Sequence, residues 1–235
     1  MAKDDLPMPV VNFLNVIGVK WPYVNEDTVM QFASLVRDFG TVVQTTHQDA
    51  TAAVKPAGEA YQGAASEQMK SGWDELSSRH VTEILDGCAV LSVALEGAAG
   101  YIVAQKVEAV ADLVGMAGAF VADQAAAVAT FGIAEAAVPL IIEGAEQLVD
   151  SLAMDLQQYI MGKVIGEALK PLINKITQAV SGLDWSRTTP IGGSSSGFSL
   201  DEAALRAQTA LLRTHAQTMR SHAMTFRQGI AGLSF

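Results

Sequence analysis

His215 and His222 stand seven residues apart, about two helical turns, so two imidazoles could meet one metal ion only if further ligands came from elsewhere. No Cys or carboxylate pair at ligand spacing accompanies them, and both are read as packed histidines in a helical seam. His47 and His80 are single histidines on helical patterns. Gly192-Gly193 is followed by serines and lacks the lysine that a phosphate-cradling loop requires. The single Cys88 excludes an internal disulfide, and its place on an apolar helical stripe suits a small buried hydrophobe better than a reactive thiol. No catalytic constellation emerges, and the chain reads as a non-enzyme that needs no metal or cofactor.

A second group of ionisable residues lies in the apolar middle of the chain. Residues 87 to 166 are nearly all apolar or small, yet Glu96, Lys106, Glu108, Asp112, Asp123, Glu135, Glu143 and Glu146 leave no uncharged run of spanning length. Asp112, Asp123, Glu135 and Glu146 are separated by eleven, twelve and eleven residues, close to whole helical turns. Such an acidic row fits a solvated face on otherwise buried helices. It also fits a pore-forming segment whose acids face water after insertion, which keeps a membrane open as an alternative partner.

The elements that would carry these residues are helices. Asn25 is placed to act as an N-cap, with Glu26 and Asp27 where the helix dipole favours carboxylates. Val29, Phe32, Val36, Phe39, Val43 and Thr46 then recur at steps of three and four, and Lys55-Pro56 with Gly58 marks an expected end. Gln31, Arg37, Asp38, Gln44 and Gln48 line the polar face. After Tyr61-Gln62-Gly63 the stripe resumes through Met69, Trp73, Leu76, His80, Ile84, Cys88, Leu91 and Leu95. Two helices marked in this way form an antiparallel hairpin.

Pro139 is expected to separate a helix ending near residue 136 from one running to Lys170, where Pro171 interrupts again. Residues 182 to 199, rich in Gly and Ser, read as a linker. Beyond them, Ser199-Leu200-Asp201-Glu202 reads as a capping box opening a seven-residue repeat. Leu205, Leu212, Met219 and Phe226 form its apolar row and docking seam, Arg206, Arg213, Arg220 and Arg227 the next row, and Thr209, Ala216, Ala223 and Ile230 a second seam row. Of 15 basic and 25 acidic residues, four arginines and no acids follow Glu202, so the first 202 residues carry 11 − 25 = −14 and the tail +4. The acidic body disfavours nucleic acid as a partner and favours docking of the basic tail on acidic surface. The fold expected is an all-α, elongated helical bundle built on a hairpin over residues 1–181, a linker over 182–199 and a heptad-repeat helix over 200–235.

Trp21-Pro22 with Asn25-Glu26-Asp27, Tyr61-Gln62-Gly63 at a WxG position, and Ser71-Gly72-Trp73-Asp74-Glu75-Leu76 together resemble the WXG-type proteins of actinobacterial type VII (ESX) secretion. The likeness is greatest to the N-terminal helical domain of their polymorphic toxins. It implies a secretion substrate or export and interaction module recognised as a folded hairpin, with Tyr61, Gly63 and Trp73 as the recognition element. The implied partners are another WXG-type helical protein, in a homo- or hetero-oligomer, and the secretion machinery. Export would need no cleaved signal peptide, and the weak apolar N-terminal stretch broken by Asn12 and Asn15 shows no small-residue cleavage pattern. Two features depart from the family. Tyr61 stands where the family has Trp, and no Tyr-x-x-x-Asp/Glu export pattern follows the corner. Tyr23 and Asp27 have that spacing but precede the first helix, which favours a partner that supplies the signal. Related toxins continue into a catalytic domain. This chain reads equally as a trimmed toxin, a stand-alone adaptor or a component delivering a separate effector.

Overall fold

The computed structural model describes residues 6–62, 64–129, 137–182 and 199–233. The chain is an all-α helical bundle. Its helices are α1 (Met8–Ile17), α2 (Glu26–Ala60), α3 (Ala64–Glu75), α4 (Thr82–Ala129), α5 (Val138–Tyr159), α6 (Lys170–Gly182) and α7 (Glu202–Ala231). π-helical turns at Leu76–Val81 and Ile160–Leu169 join α3 to α4 and α5 to α6. The two-residue strands β1 (Tyr61–Gln62) and β2 (Ser199–Leu200) pair antiparallel, Tyr61 opposite Leu200 and Gln62 opposite Ser199.

Contacts divide the described residues into two compact units, one within 1–31 and 94–165 and one within 32–93 and 166–233. In the first unit, α1 was not anticipated, because its two asparagines obscured a short amphipathic pattern. Asn12 and Asn15 lie outward, while Val10, Phe13 and Leu14 are buried. Gly18 ends α1 at φ +76°, a left-handed conformation that glycine adopts without a Cβ penalty. Phe13 meets Phe120 with ring centroids 5.4 Å apart, and Tyr101 stacks on Tyr159 at 4.0 Å. Asn25 Oδ1 accepts from the backbone N–H groups of Asp27 and Thr28 at 3.0 and 3.2 Å, the expected cap. Beside it, the ammonium of Lys106 donates to Glu26 Oε2 at 2.8 Å and to the Val24 carbonyl at 2.5 Å, tying α4 to the start of α2.

In the second unit the α2 stripe turns inward: Val36, Val43 and Thr46 are buried, Phe39 is partly buried, and Arg37, Asp38, Gln44 and Gln48 face out. Its counterpart along the π-helical turn Leu76–Val81 and α4 buries His80, Cys88 and Leu91. Gly40 allows close approach, since a Cβ there would lie 3.3 Å from Cys88 Cβ, and a Cβ at Gly87 would lie 2.2 Å from Leu172 Cδ1. Burial pushes the Cys88 thiol up, toward the unreactive protonated form.

Two of the three prolines expected to end or separate helices, Pro56 and Pro171, depart from that expectation. α2 does not stop at Pro56 but runs on to Ala60, because Ala53, Val54 and Ala57 are buried on either side of the missing N–H and offset its loss. Pro139 stands, as expected, where one helix gives way to the next. It sits in the first turn of α5, where an N–H would lack a helical partner in any case. Pro171 does not interrupt the helical run. The wider π-helical turn Ile160–Leu169 immediately precedes it, and loosened i→i−4 pairing there accommodates the ring. The capping box is also corrected: Asp201, not Ser199, caps α7 by accepting from the Ala204 N–H at 3.0 Å, while Ser199 belongs to β2.

Candidate partner-binding hairpin

The helical corner is held by side chains on both of its arms. Trp73 projects from α3 toward α2, where its Nε1–H donates to Thr51 Oγ1 at 3.1 Å and its indole stacks on the His47 ring at 5.2 Å, only 14° from parallel. The Thr51 hydroxyl in turn donates to the His47 carbonyl at 2.8 Å. A helix places residues four apart on one face, so His47 and Thr51 offer Trp73 one surface for its ring and one acceptor for its N–H. Trp73 is only partly buried. The backbone of the corner is stabilised separately, by the pairing of β1 with β2. Gly63 and the side chain of Tyr61 lie outside the described part of the structure.

Sequence reasoning identified Trp73 but missed both of its partners. The i,i+4 spacing of His47 and Thr51 was visible, but nothing local says which helix comes to cover them. Burial holds the His47 pKa below its ordinary 6.5, because a charged imidazole there loses hydration. Stability is therefore complete above pH 6.5 and falls as pH drops from 6.5 toward the lowered native value, since the unfolded chain binds the proton first. A thermal midpoint that declines between pH 7 and pH 5.5, with a shallower decline in His47→Gln, is the expected result. Trp73→Ala should cost about 2 kcal/mol, below the range for a fully buried Trp, as measured by chemical denaturation.

The C-terminal helix lies antiparallel along α2. Phe226 stacks on Phe39 with centroids 4.5 Å apart and 17° between planes, and His222 Nε2 is 3.1 Å from Thr46 Oγ1. A Cβ at Gly229 would sit 2.8 Å from Leu35 Cδ2. Leu205, Leu212, Met219 and Phe226 are all partly buried. The second row differs from expectation: Gln208, His215, His222 and Gly229 turn inward, whereas Thr209, Ala216 and Ala223 are exposed and only Ile230 of that row is partly buried. The row three residues after the apolar position packs here, because steps of three and of four both keep a residue beside the seam and the covering helix chooses between them. All four tail arginines are exposed, and Arg206 pairs with Glu202 of its own helix. Arg213, Arg220 and Arg227 have no ion pair among the described residues.

Among the described residues no group of three or more His, Cys, Asp or Glu side chains is close enough to hold a metal ion. Of the acidic row, Asp112 and Glu146 are exposed, Asp123 is partly buried, and Glu135 lies outside the described residues. By length and composition the helix Met69–Ala126 is apolar enough to cross a membrane, with 39% of its most apolar window buried inside the protein. A single helix of this kind also fits the core of a soluble bundle.

A family model described as WXG100 like domain matches residues 4–142, which takes in the corner, Trp73, the buried Lys106 and all of α4. No curated protein and no solved structure matches the chain.

Proposed function

The chain belongs to the WXG100-like domain family, and from that membership we propose that it acts as a non-catalytic substrate, or export and interaction module, of type VII secretion. It is a type VII secretion-related helical protein. Our finer reading assigns it to the ESX-exported group, like the N-terminal helical domain of an actinobacterial polymorphic toxin that carries or accompanies its toxic part. The folded hairpin is the recognised unit, and residues 1–181 form its body. A WXG-type helical partner supplies the Tyr-x-x-x-Asp/Glu pattern that does not follow Tyr61 here. The protein leaves the cytoplasm without a cleaved signal peptide.

The observation that carries this reading is the family match over residues 4–142, and the clamp of Trp73 on His47 and Thr51 supports it by joining the two arms of the hairpin. Recognition of a folded unit requires such preorganisation, because an unordered corner would have to be ordered on binding. Gly63→Val tests it by placing a β-branched side chain at the corner. In cells with an intact type VII system, export of this variant should be lost while its cytosolic level persists. Normal export would count against the assignment.

A further inference from the structure

α1 and the segment that follows it enclose a cavity of about 280 Å³ within the first unit. Leu6, Val11, Leu14 and Val19 give it apolar walls, and Leu6 and Leu14 are buried. Trp21 is part of the same lining at 5% exposure, yet its Nε1–H, shielded from solvent, has no acceptor among the described residues. A buried indole N–H ordinarily finds an acceptor, because leaving the donor unpaired forfeits its hydration. Trp73, which is less buried, has one in Thr51. A cavity with apolar walls and a few polar groups to orient a guest is the usual form of a small-molecule site.

The lining also selects the charge and size of the guest. Lys20 borders the cavity, exposed and without an ion pair among the described residues, and none of the described lining residues is acidic. On a chain of net charge −10 this makes a local site for an anion. The turn after α1 does not depend on Lys20, because backbone N–H groups of Gly18 and Val19 already donate to the Leu14 carbonyl. One neutral donor and one ammonium match the two oxygens of a carboxylate, whereas a phosphate would bring more charge and more acceptors than they satisfy. At about 30 Å³ for each water-sized group, the cavity accommodates on the order of nine such groups.

We propose that this cavity binds a medium-chain monocarboxylate of about eight carbons, its hydrocarbon against the leucines and valines and its carboxylate accepting from Trp21 and Lys20. The guest supplies the acceptor that the Trp21 N–H lacks and the anion that faces Lys20. The inference is independent of the secretion reading, since it assigns a small-molecule site within the first unit and uses no residue of the hairpin corner.

The test uses the full chain and sodium octanoate at neutral pH, below its micellar range. Octanoate should move the indole N–H resonance of Trp21, assigned with Trp21→Phe, and leave that of Trp73 in place. By calorimetry it should bind at least about tenfold more tightly than octan-1-ol or octylammonium. From butanoate to octanoate the affinity should rise about fourfold per methylene, then level off toward dodecanoate once the cavity is full. Lys20→Gln, at an exposed position, should bring octanoate down to the level of octan-1-ol and leave the thermal midpoint unchanged. Trp21→Phe keeps an aromatic ring in the wall and removes the donor, so octanoate should bind at least about fivefold more weakly while octan-1-ol is unaffected. Equal binding of the three head groups, or octanoate binding unchanged in Lys20→Gln, overturns the inference. A Trp21 resonance that octanoate does not move also overturns it, in favour of water as the indole's acceptor. A gain per methylene that continues to dodecanoate and survives both substitutions overturns it in favour of surface adsorption. Tighter binding of a short apolar peptide through its C-terminal carboxylate overturns it in favour of a chain end.

Discussion

Lys106→Ala is expected to lower the unfolding free energy by about 3–5 kcal/mol, more than Trp73→Ala at the corner. Lys106 is 1% exposed, and its ammonium is the charged neighbour of both Glu26 Oε2 and the Val24 carbonyl. Removing it leaves the Glu26 carboxylate shielded from water and deprived of its cation, and the positive end of α2 compensates only in part. The asymmetry of buried ion pairs sharpens the expectation. Lys106→Met together with Glu26→Leu should recover much of the loss, because neither charge is then stranded in the interior. Urea denaturation of the two variants beside the parent measures both quantities. A loss under about 1 kcal/mol in Lys106→Ala would mean that the pair is solvated and does not hold α4 against the start of α2.

Leu212→Ser combined with Met219→Ser should free α7 from α2 and raise proteolytic cleavage within residues 199–233 at least about tenfold under native conditions. No α7 residue is fully buried, so docking depends on several half-buried contacts, and two polar replacements remove a large share of the apolar area. The Phe39–Phe226 stack and the Thr46–His222 hydrogen bond remain as tethers, which is why a single replacement should have a modest effect. Arg213→Gln with Arg220→Gln should leave protection unchanged at any salt, because both arginines are exposed and unpaired among the described residues. Limited proteolysis followed by mass spectrometry distinguishes the cases. Protection in the serine variant equal to that of the parent would show that the leucine and methionine row does not hold the helix.

The two predictions concern features that differ in how legible they were. The row Leu205, Leu212, Met219 and Phe226 was evident from its seven-residue spacing, because one helix face is a local property of the sequence. Its second row was misplaced by one residue, since steps of three and of four both stay on one helix face and only the covering helix chooses between them. Lys106 looked like one more charge interrupting an apolar stretch. Only α2, arriving from 80 residues away, makes it a buried partner of Glu26.

What the sequence determined by itself was periodicity and capping: the inward stripes of α2 and α4, the Asn25 cap, the burial of Cys88 and the return of the chain between α2 and α3. These depend on neighbours within a few turns, and one-dimensional spacing contains them. Tertiary structure decided which helix covers which stripe. It supplied His47 and Thr51 to Trp73, Phe39 to Phe226 and Glu26 to Lys106. It also decided that Pro56 and Pro171 remain inside helical runs, because proline's local penalty of about 3 kcal/mol is small enough for burial on both sides, or a neighbouring π-helical turn, to offset. Local rules state what each residue prefers, and packing between distant segments decides which preferences are overridden.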